Sequence, residues 1–246
     1  MYQNKTFLAI IPARGGSKRL PRKNILDLAG KALIEWSIEA GLKSKYIDAV
    51  VVTSDDEEIL NISKKNGAHI IKRPDALAND TATTFDTVKH VIENSQHYDY
   101  IILLQATSPL RNSKHIDEAI ELLISKNADA VISVCEMEHS PLWSNTLPED
   151  GDMSHFLKEE IKNKRGQDLA TYYRPNGAIY ICKTDELLET KTFYFEKNIY
   201  AYFMDNRCSI DIDTPLDFEL AKFLIKQNDT KSQDTQSKSN IILEEK

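Results

Sequence analysis

The sequence predicts an α/β fold, a mainly parallel sheet with helices on both faces. Two observations carry this. Short apolar runs such as "TFLAIIPA" and "AVVVTS" are continuous rather than alternating, as in strands buried on both faces. Between them stand segments with apolar residues at helical spacing, so strand and helix patterns alternate along the chain. At 246 residues the chain suits one large domain, or a domain with a small lobe, and can bury a sizeable core.

The elements follow in order. "TFLAIIPA" is the first strand. From Lys31 to Ser44 a helix is expected, with Ile34, Ile38, Gly41 and Leu42 on one face. Ala49 to Ser54 is a second buried strand. "SDDEEILNISKKNG" reads as a helix with a Ser54–Glu57 capping box, acids in its first turn, lysines in its last, and Gly67 as its stop. "AHIIKR" is a short strand, and Phe85, Val88 and Ile92 mark a helix. "YIILLQ" is a strand, followed by a helix carrying Ile116, Ala119, Ile120, Leu123 and Ile124, and then the strand "DAVISVC". The rhythm breaks between about residues 138 and 175, where prolines, charges and aromatics follow no period, as in a projecting insertion. Strands resume at "GAIYICK" and "IYAYFMD". "SIDID" is a short strand before a last helix with Thr214 as N-cap, Pro215 in its first turn, and Leu216, Leu220, Phe223 and Leu224 as its buried face. The globular domain is expected over 1–227. The tail 228–246 is polar and low in complexity, the composition of a disordered segment.

Composition excludes several function classes. A formal net charge of −7 argues against bulk nucleic-acid binding. Cys135, Cys182 and Cys208 lie far apart without metal-ligand spacing, so neither a disulfide framework nor a zinc site is expected. The start of the chain lacks the pattern of a signal peptide, and no apolar run reaches transmembrane length. A soluble cytoplasmic protein is expected, with no membrane partner.

Against the acidic whole, "IPARGGSKRLPRKN" gathers five cations with no acid between them. It follows a strand, where ligands of parallel sheets bind. Gly15, Gly16 and Ser17 offer backbone N–H groups to an anion, and Arg14 and Lys23 at the two ends are set to grip a polyphosphate from both sides. The plain alternative is a solvated basic turn. The pattern is neither a P-loop nor a dinucleotide fingerprint. In "SIDIDTP", Asp211 and Asp213 fall two apart. On a strand that spacing points both carboxylates to one side, where a cation such as Mg²⁺ would relieve their repulsion. The alternative is a pair of cap aspartates. "LLQATSPLR" ends a strand in Gln105, Thr107, Ser108 and Arg111, polar groups suited to hydroxyl and carboxylate recognition. "RPDALANDTATT" collects Arg73, Asp80, Thr81, Thr83 and Thr84 between a strand and a helix. "YYRPNGAIYI" sets Arg174, Asn176 and Tyr180 around a glycine, with a strand-entry turn as its plain reading. "SDDEE" is read as an acidic helix start that needs no metal.

Together with "MEHSPL", these segments resemble the cytidylyltransferases that activate sialic acids, in family order from Phe7 to about Gln227. The resemblance implies a Rossmann-like nucleotidyltransferase fold, use of CTP with a nonulosonic acid, Mg²⁺ or another divalent cation as cofactor, and a homodimer in which the insertion of about 138–175 reaches the partner's site. It implies that Arg14 and Lys23 hold the triphosphate. Asn24, Arg73 and Thr83 or Thr84 would hold the nucleotide, and Gln105, Tyr180, Phe193 and Tyr194 the sugar. Asp211 and Asp213 would hold the metal, with Asp211 also a candidate proton acceptor. Two departures stand in the region implied to meet the sugar. Trp143 replaces a lysine found in some members, and the family arginine's register holds Gly166, with Arg165 one place earlier. Trp143, Arg165 and Arg174 are therefore candidate sugar residues, and the sugar is N-acetylneuraminic acid or a legionaminic- or pseudaminic-type relative. Two rivals are a KDO cytidylyltransferase, whose first loop usually continues "PGKP" rather than "PRKN", and an inactive anion-binding protein.

Overall fold

The computed structural model describes residues 1–79 and 81–228; Asp80 and the tail 229–246 lie outside the described residues. The first strand is β1 (Phe7–Pro12), an interior strand of the sheet. A basic loop and a two-strand hairpin, β2 (Asp27–Leu28) and β3 (Lys31–Ala32), lead into α1 (Leu33–Leu42). The chain continues through β4 (Ala49–Ser54), α2 (Glu57–Lys65), β5 (His69–Lys72), α3 (Thr84–Glu93), β6 (Tyr100–Leu103), α4 (Ser113–Ser125) and β7 (Ala130–Glu136). After the irregular stretch come β8 (Tyr173–Lys183), α5 (Thr184–Thr190), β9 (Ile199–Phe203) and a last helix, α6, over residues 215–228.

Seven strands form one sheet in the order β5-β4-β1-β6-β8-β7-β9. β1 pairs in parallel with β4 and β6, β4 with β5, and β7 with β9. β8 runs antiparallel to both β6 and β7, so the sheet is mainly rather than wholly parallel. The alternation of side chains along β1 explains the continuous apolar run. Phe7, Ala9 and Ile11 join Ile34, Ile38, Ile59, Ile116 and Ile120 in a core beneath α1, α2 and α4. Leu8 and Ile10 join Val88, Val91 and Leu187 beneath α3 and α5 on the opposite face. A third cluster joins Leu28 and Leu33 to Ile212, Phe218, Ala221 and Ile225, so α6 closes over the hairpin.

Several local expectations are corrected. Leu42 is exposed where α1 ends, while the other three residues expected on its inner face, Ile34, Ile38 and Gly41, are buried. Ser54 completes β4, and Asp56 caps α2 instead, accepting from the N–H groups of Glu58 and Ile59. "SIDID" forms no strand. The segment is tied to the loop after β6 by the Ile212 N–H to Thr107 carbonyl bond of 2.8 Å. Thr214 caps α6 as expected, in a reciprocal arrangement with Asp217, but the buried face is Phe218, Ala221 and Ile225. Leu216, Leu220 and Phe223 are exposed and Leu224 is half-buried. The aperiodic region holds only short 3-10 turns, Pro141–Trp143 and Gly166–Asp168, between the ends of β7 and β8. Asn228 is the last described residue of α6, and the rest of the expected tail falls outside the described residues.

Candidate functional site

The chain runs out from β1 to β4 and β5, then crosses back to β6, so the strand order reverses between β1 and β6. At such a switch point the loops beyond the strand ends part and leave a crevice. Here Pro12 and Leu103, the ends of β1 and β6, stand in the wall of a cleft of about 520 Å³. A second cleft of about 350 Å³ adjoins it, sharing Pro12, Arg14 and Thr84. The two make one groove along the carboxyl edge of the sheet.

The larger cleft brings together Arg14, Ser17, Lys23, Asn24, Gln105, Asp211 and Asp213, all singled out in the sequence. The smaller one holds Arg73, Thr83 and Thr84. Asn24 is buried, and its Nδ2 donates to the Arg14 carbonyl at 3.0 Å, drawing together the two ends of the basic loop. The cations of this loop divide their duties. Arg22, at φ 57°, turns away to pair with Asp56 at 2.7 Å and with Glu58. Lys23 Nζ donates to the Ile212 carbonyl at 2.6 Å and to Asp213 Oδ1 at 2.9 Å, while Arg19 reaches Asp213 Oδ2 at 3.0 Å.

The two glycines of the loop differ in their surroundings. A Cβ at Gly15 would lie 2.7 Å from Asp56 Oδ2, so the loop packs against the start of α2. A Cβ at Gly16 would meet nothing within 4 Å.

Asp211 is half-buried, and its Oδ1 is enclosed without a hydrogen-bond partner. Burial raises its pKa; the Thr107 hydroxyl lowers it, and the nearby Asp213 carboxylate raises it further. Gly177, at φ 77°, explains the glycine of "RPNG": a Cβ there would fall 2.3 Å from Gln105 Oε1 and 3.8 Å from Asp211 Oδ2. Gln105 and Asp211 thus converge over a backbone that must lack a side chain. Tyr180 faces Leu103 across the β6–β8 ladder, and its ring packs edge-on to Phe193 and Tyr194, at centroid distances of 5.7 and 6.4 Å. Burial, with Tyr194 adding, pushes the Tyr180 phenol well above its ordinary pKa. These three rings form a cluster of their own and do not line either cleft.

Other expected residues lie elsewhere. Trp143 packs against Gly166, whose Cβ would be 3.3 Å from the indole. Arg165 is exposed and pairs with Asp168 at 3.0 Å. Arg174 is exposed on β8 opposite Cys135. Ser108 and Arg111 are buried beneath the groove rather than facing it. Arg111 Nη2 donates to Ser37 Oγ at 2.7 Å, and burial lowers the guanidinium pKa to about 9.

Sequence reasoning missed two supports. Asn176, read as part of a turn, is 1% exposed. It accepts from Ser133 Oγ at 2.6 Å and donates to Ser209 Oγ at 2.9 Å, fixing the segment that carries Asp211. Asp55 and Asp56 brace the basic loop; the signal was an excess of acids beyond what one helix cap needs.

The chain as a whole is similar to known proteins. The family model described as "Cytidylyltransferase" matches residues 8–241. The N-acylneuraminate cytidylyltransferase of Escherichia coli is 39% identical over 215 residues, 87% of this chain and 51% of that protein. The pseudaminic acid cytidylyltransferase of Campylobacter jejuni is 38% identical over 226 residues, 90% of this chain and 97% of that one. The chain thus spans about half the length of the E. coli relative and nearly all of the C. jejuni one. A solved CMP:2-keto-3-deoxy-manno-octonic acid synthetase, complexed with CTP, superposes with a TM-score of 0.70 over 91% of this chain and 99% of that one, at 21% identity, a likeness of fold alone. Matched by the family model over residues 8–241, nearly its whole length, the chain is a member of the cytidylyltransferase family.

Proposed function

We propose that the protein transfers CMP from CTP to the anomeric hydroxyl of a nonulosonic acid and releases pyrophosphate. The observation that carries this is the single groove in which Arg14 and Lys23 face Asp211, Asp213 and Gln105, with Arg73 and the α3 start at its other end. The names of the relatives, acting on N-acylneuraminate and pseudaminic acid, support the acceptor class.

In this reading Arg73, Thr83 and Thr84 hold the nucleoside end and Arg14 and Lys23 take the triphosphate. Gln105 meets the acceptor; the Tyr180 phenol, which feels the Asp211 charge, and the Phe193 and Tyr194 rings packed on it line neither cleft and would bear only on acceptor groups that extend beyond the groove. Such transfers need positioning and charge neutralisation more than covalent help from the protein. Asp211, kept basic by burial, is the candidate proton acceptor.

The residues fit a divalent cation. The enclosed, unpartnered Asp211 Oδ1 and the Asp213 carboxylate would make a two-carboxylate donor set of the kind Mg²⁺ uses alongside water and phosphate oxygens, once Lys23 and Arg19, which pair with Asp213, turn to the triphosphate. Among the described residues no group of three metal-ligating side chains occurs, so substrate oxygens would complete its ligands. Bound there, the cation supplies positive charge to the triphosphate.

The acceptor would be completed by a second chain. Trp143 and Arg165 do not line their own chain's groove, and the β7–β8–β9 edge presents exposed Tyr172, Tyr173 and Phe203. Across a homodimer, Trp143 would pack on acyl or methyl substituents of the sugar.

Pyrophosphate release from CTP and Mg²⁺ with N-acetylneuraminic, legionaminic, pseudaminic and KDO acids tests the reading. Turnover is expected with a nine-carbon acid, with legionaminic acid at least comparable to N-acetylneuraminic acid. Arg14→Ala and Lys23→Ala should each cost roughly 1.5–3 kcal/mol of transition-state stabilisation, or roughly 10- to 150-fold. No release with any acid would overturn it, and release with KDO alone would move the protein to the rival class.

A further inference from the structure

The acids at the start of α2 do more than cap a helix. Asp56 performs the capping. Asp55 has no such duty. Its Oδ1 accepts the Gly15 N–H at 3.2 Å and lies 3.6 Å from Arg73 Nη2. One oxygen therefore touches both the loop after β1 and the arginine after β5, the two walls between which the groove runs. Arg73 is 6% exposed and otherwise lightly held: Nη1 donates to Thr87 Oγ1 at 3.2 Å, and Nε and Nη2 make no hydrogen bond. Burial disfavours its charge, the neighbouring carboxylate of Asp55 favours it, and Arg14 disfavours it again. Without Asp55, two mutually repelling arginines would lose the anion standing beside them.

We infer that Asp55 is a positioning residue that sets the span between the phosphate loop and Arg73, matching it to a nucleoside triphosphate. The inference rests on the reading of the groove as a CTP site. A ligand that bridges two half-sites gains from both only while their separation is fixed, because loosening either lowers the effective concentration of one end at its half-site. A competing role has the opposite sign. If the carboxylate merely occupied the loop's N–H in place of a phosphate, its removal would strengthen anion binding.

Calorimetric titration of wild type, Asp55→Ala and Asp55→Asn with CTP and with inorganic tripolyphosphate, both with Mg²⁺, separates these. Asp55→Ala is expected to weaken CTP by about tenfold or more while tripolyphosphate, which needs only the loop, stays within about threefold. Asp55→Asn keeps an acceptor for Gly15 but not the charge beside Arg73, and should fall between. CTP affinity that is unchanged or raised in Asp55→Ala overturns the proposal, as does an equal loss for both ligands, which marks simple collapse of the loop. Should Asp55→Ala not fold, unchanged CTP affinity in Asp55→Asn is the overturning result. A wild-type protein that binds tripolyphosphate but not CTP removes the underlying nucleotide reading, and this inference with it. Normal CTP binding with indifferent variants removes the inference alone.

Discussion

Gly177 shows how one residue type can be fixed by a neighbour's needs. Its backbone lies at φ 77°, and the space a Cβ would fill belongs to the Gln105 side chain. Gly177→Ala should therefore displace Gln105 and cost roughly 1–2 kcal/mol of stability through backbone strain. In the assay the acceptor KM is expected to rise while CTP affinity holds; equal loss of both would show a general collapse of the cleft. At this scale the sequence was legible where charges cluster past a strand: Arg14, Lys23, Gln105, Asp211 and Asp213 do meet in one cleft. It was opaque where a polar residue works from behind. Asp55 sits in a loop, where aspartate is an ordinary turn former, and Asn176 lies within β8 beside a glycine that reads as a turn; only the fold reveals that each joins distant segments.

Among the elements, α6 tests how far periodicity can be trusted. Leu216, Leu220 and Phe223 share one helical stripe and Phe218, Ala221 and Ile225 another, and the sequence favoured the first. The second is buried, because the surface available to α6 is the small cluster around Leu28 and Leu33, which small and aromatic side chains fill. Phe218→Ala should cost about 3 kcal/mol in denaturant unfolding, and Phe223→Ala about 0.5 kcal/mol or less. The reverse ranking would contradict this seating of the helix. "SIDID" misled for a related reason. Its apolar–acid alternation is that of a half-buried strand, yet it joins no strand ladder; a backbone bond from Ile212 to Thr107 holds it, and both acids line the cleft. The direction of β8 was equally hidden, since a buried strand reads the same whether it runs parallel or antiparallel.

At the scale of the whole molecule, the alternation of strand and helix gave the layered architecture correctly, while the insertion's form could not be read from a stretch without period. Its exposed aromatics and the separation of Trp143 and Arg165 from the groove lead to a measurable expectation. Sedimentation equilibrium should give a particle of two chains at assay concentration; a fully active single chain would show that the site needs no second copy. The bond between Lys23 and Asp213 spans 190 residues of sequence, and the cluster under α6 joins residues near 30 to residues near 220. Contacts so remote form only after long loops have closed, which makes them entropically expensive and slow. During synthesis the strands β1 to β7 emerge well before residues 209–228, so the nascent protein carries a basic loop braced by Asp55 and Asp56 but still without Asp211 and Asp213. The groove is thus among the last features to be assembled, and an interrupted chain can hold much of the sheet while possessing no complete groove.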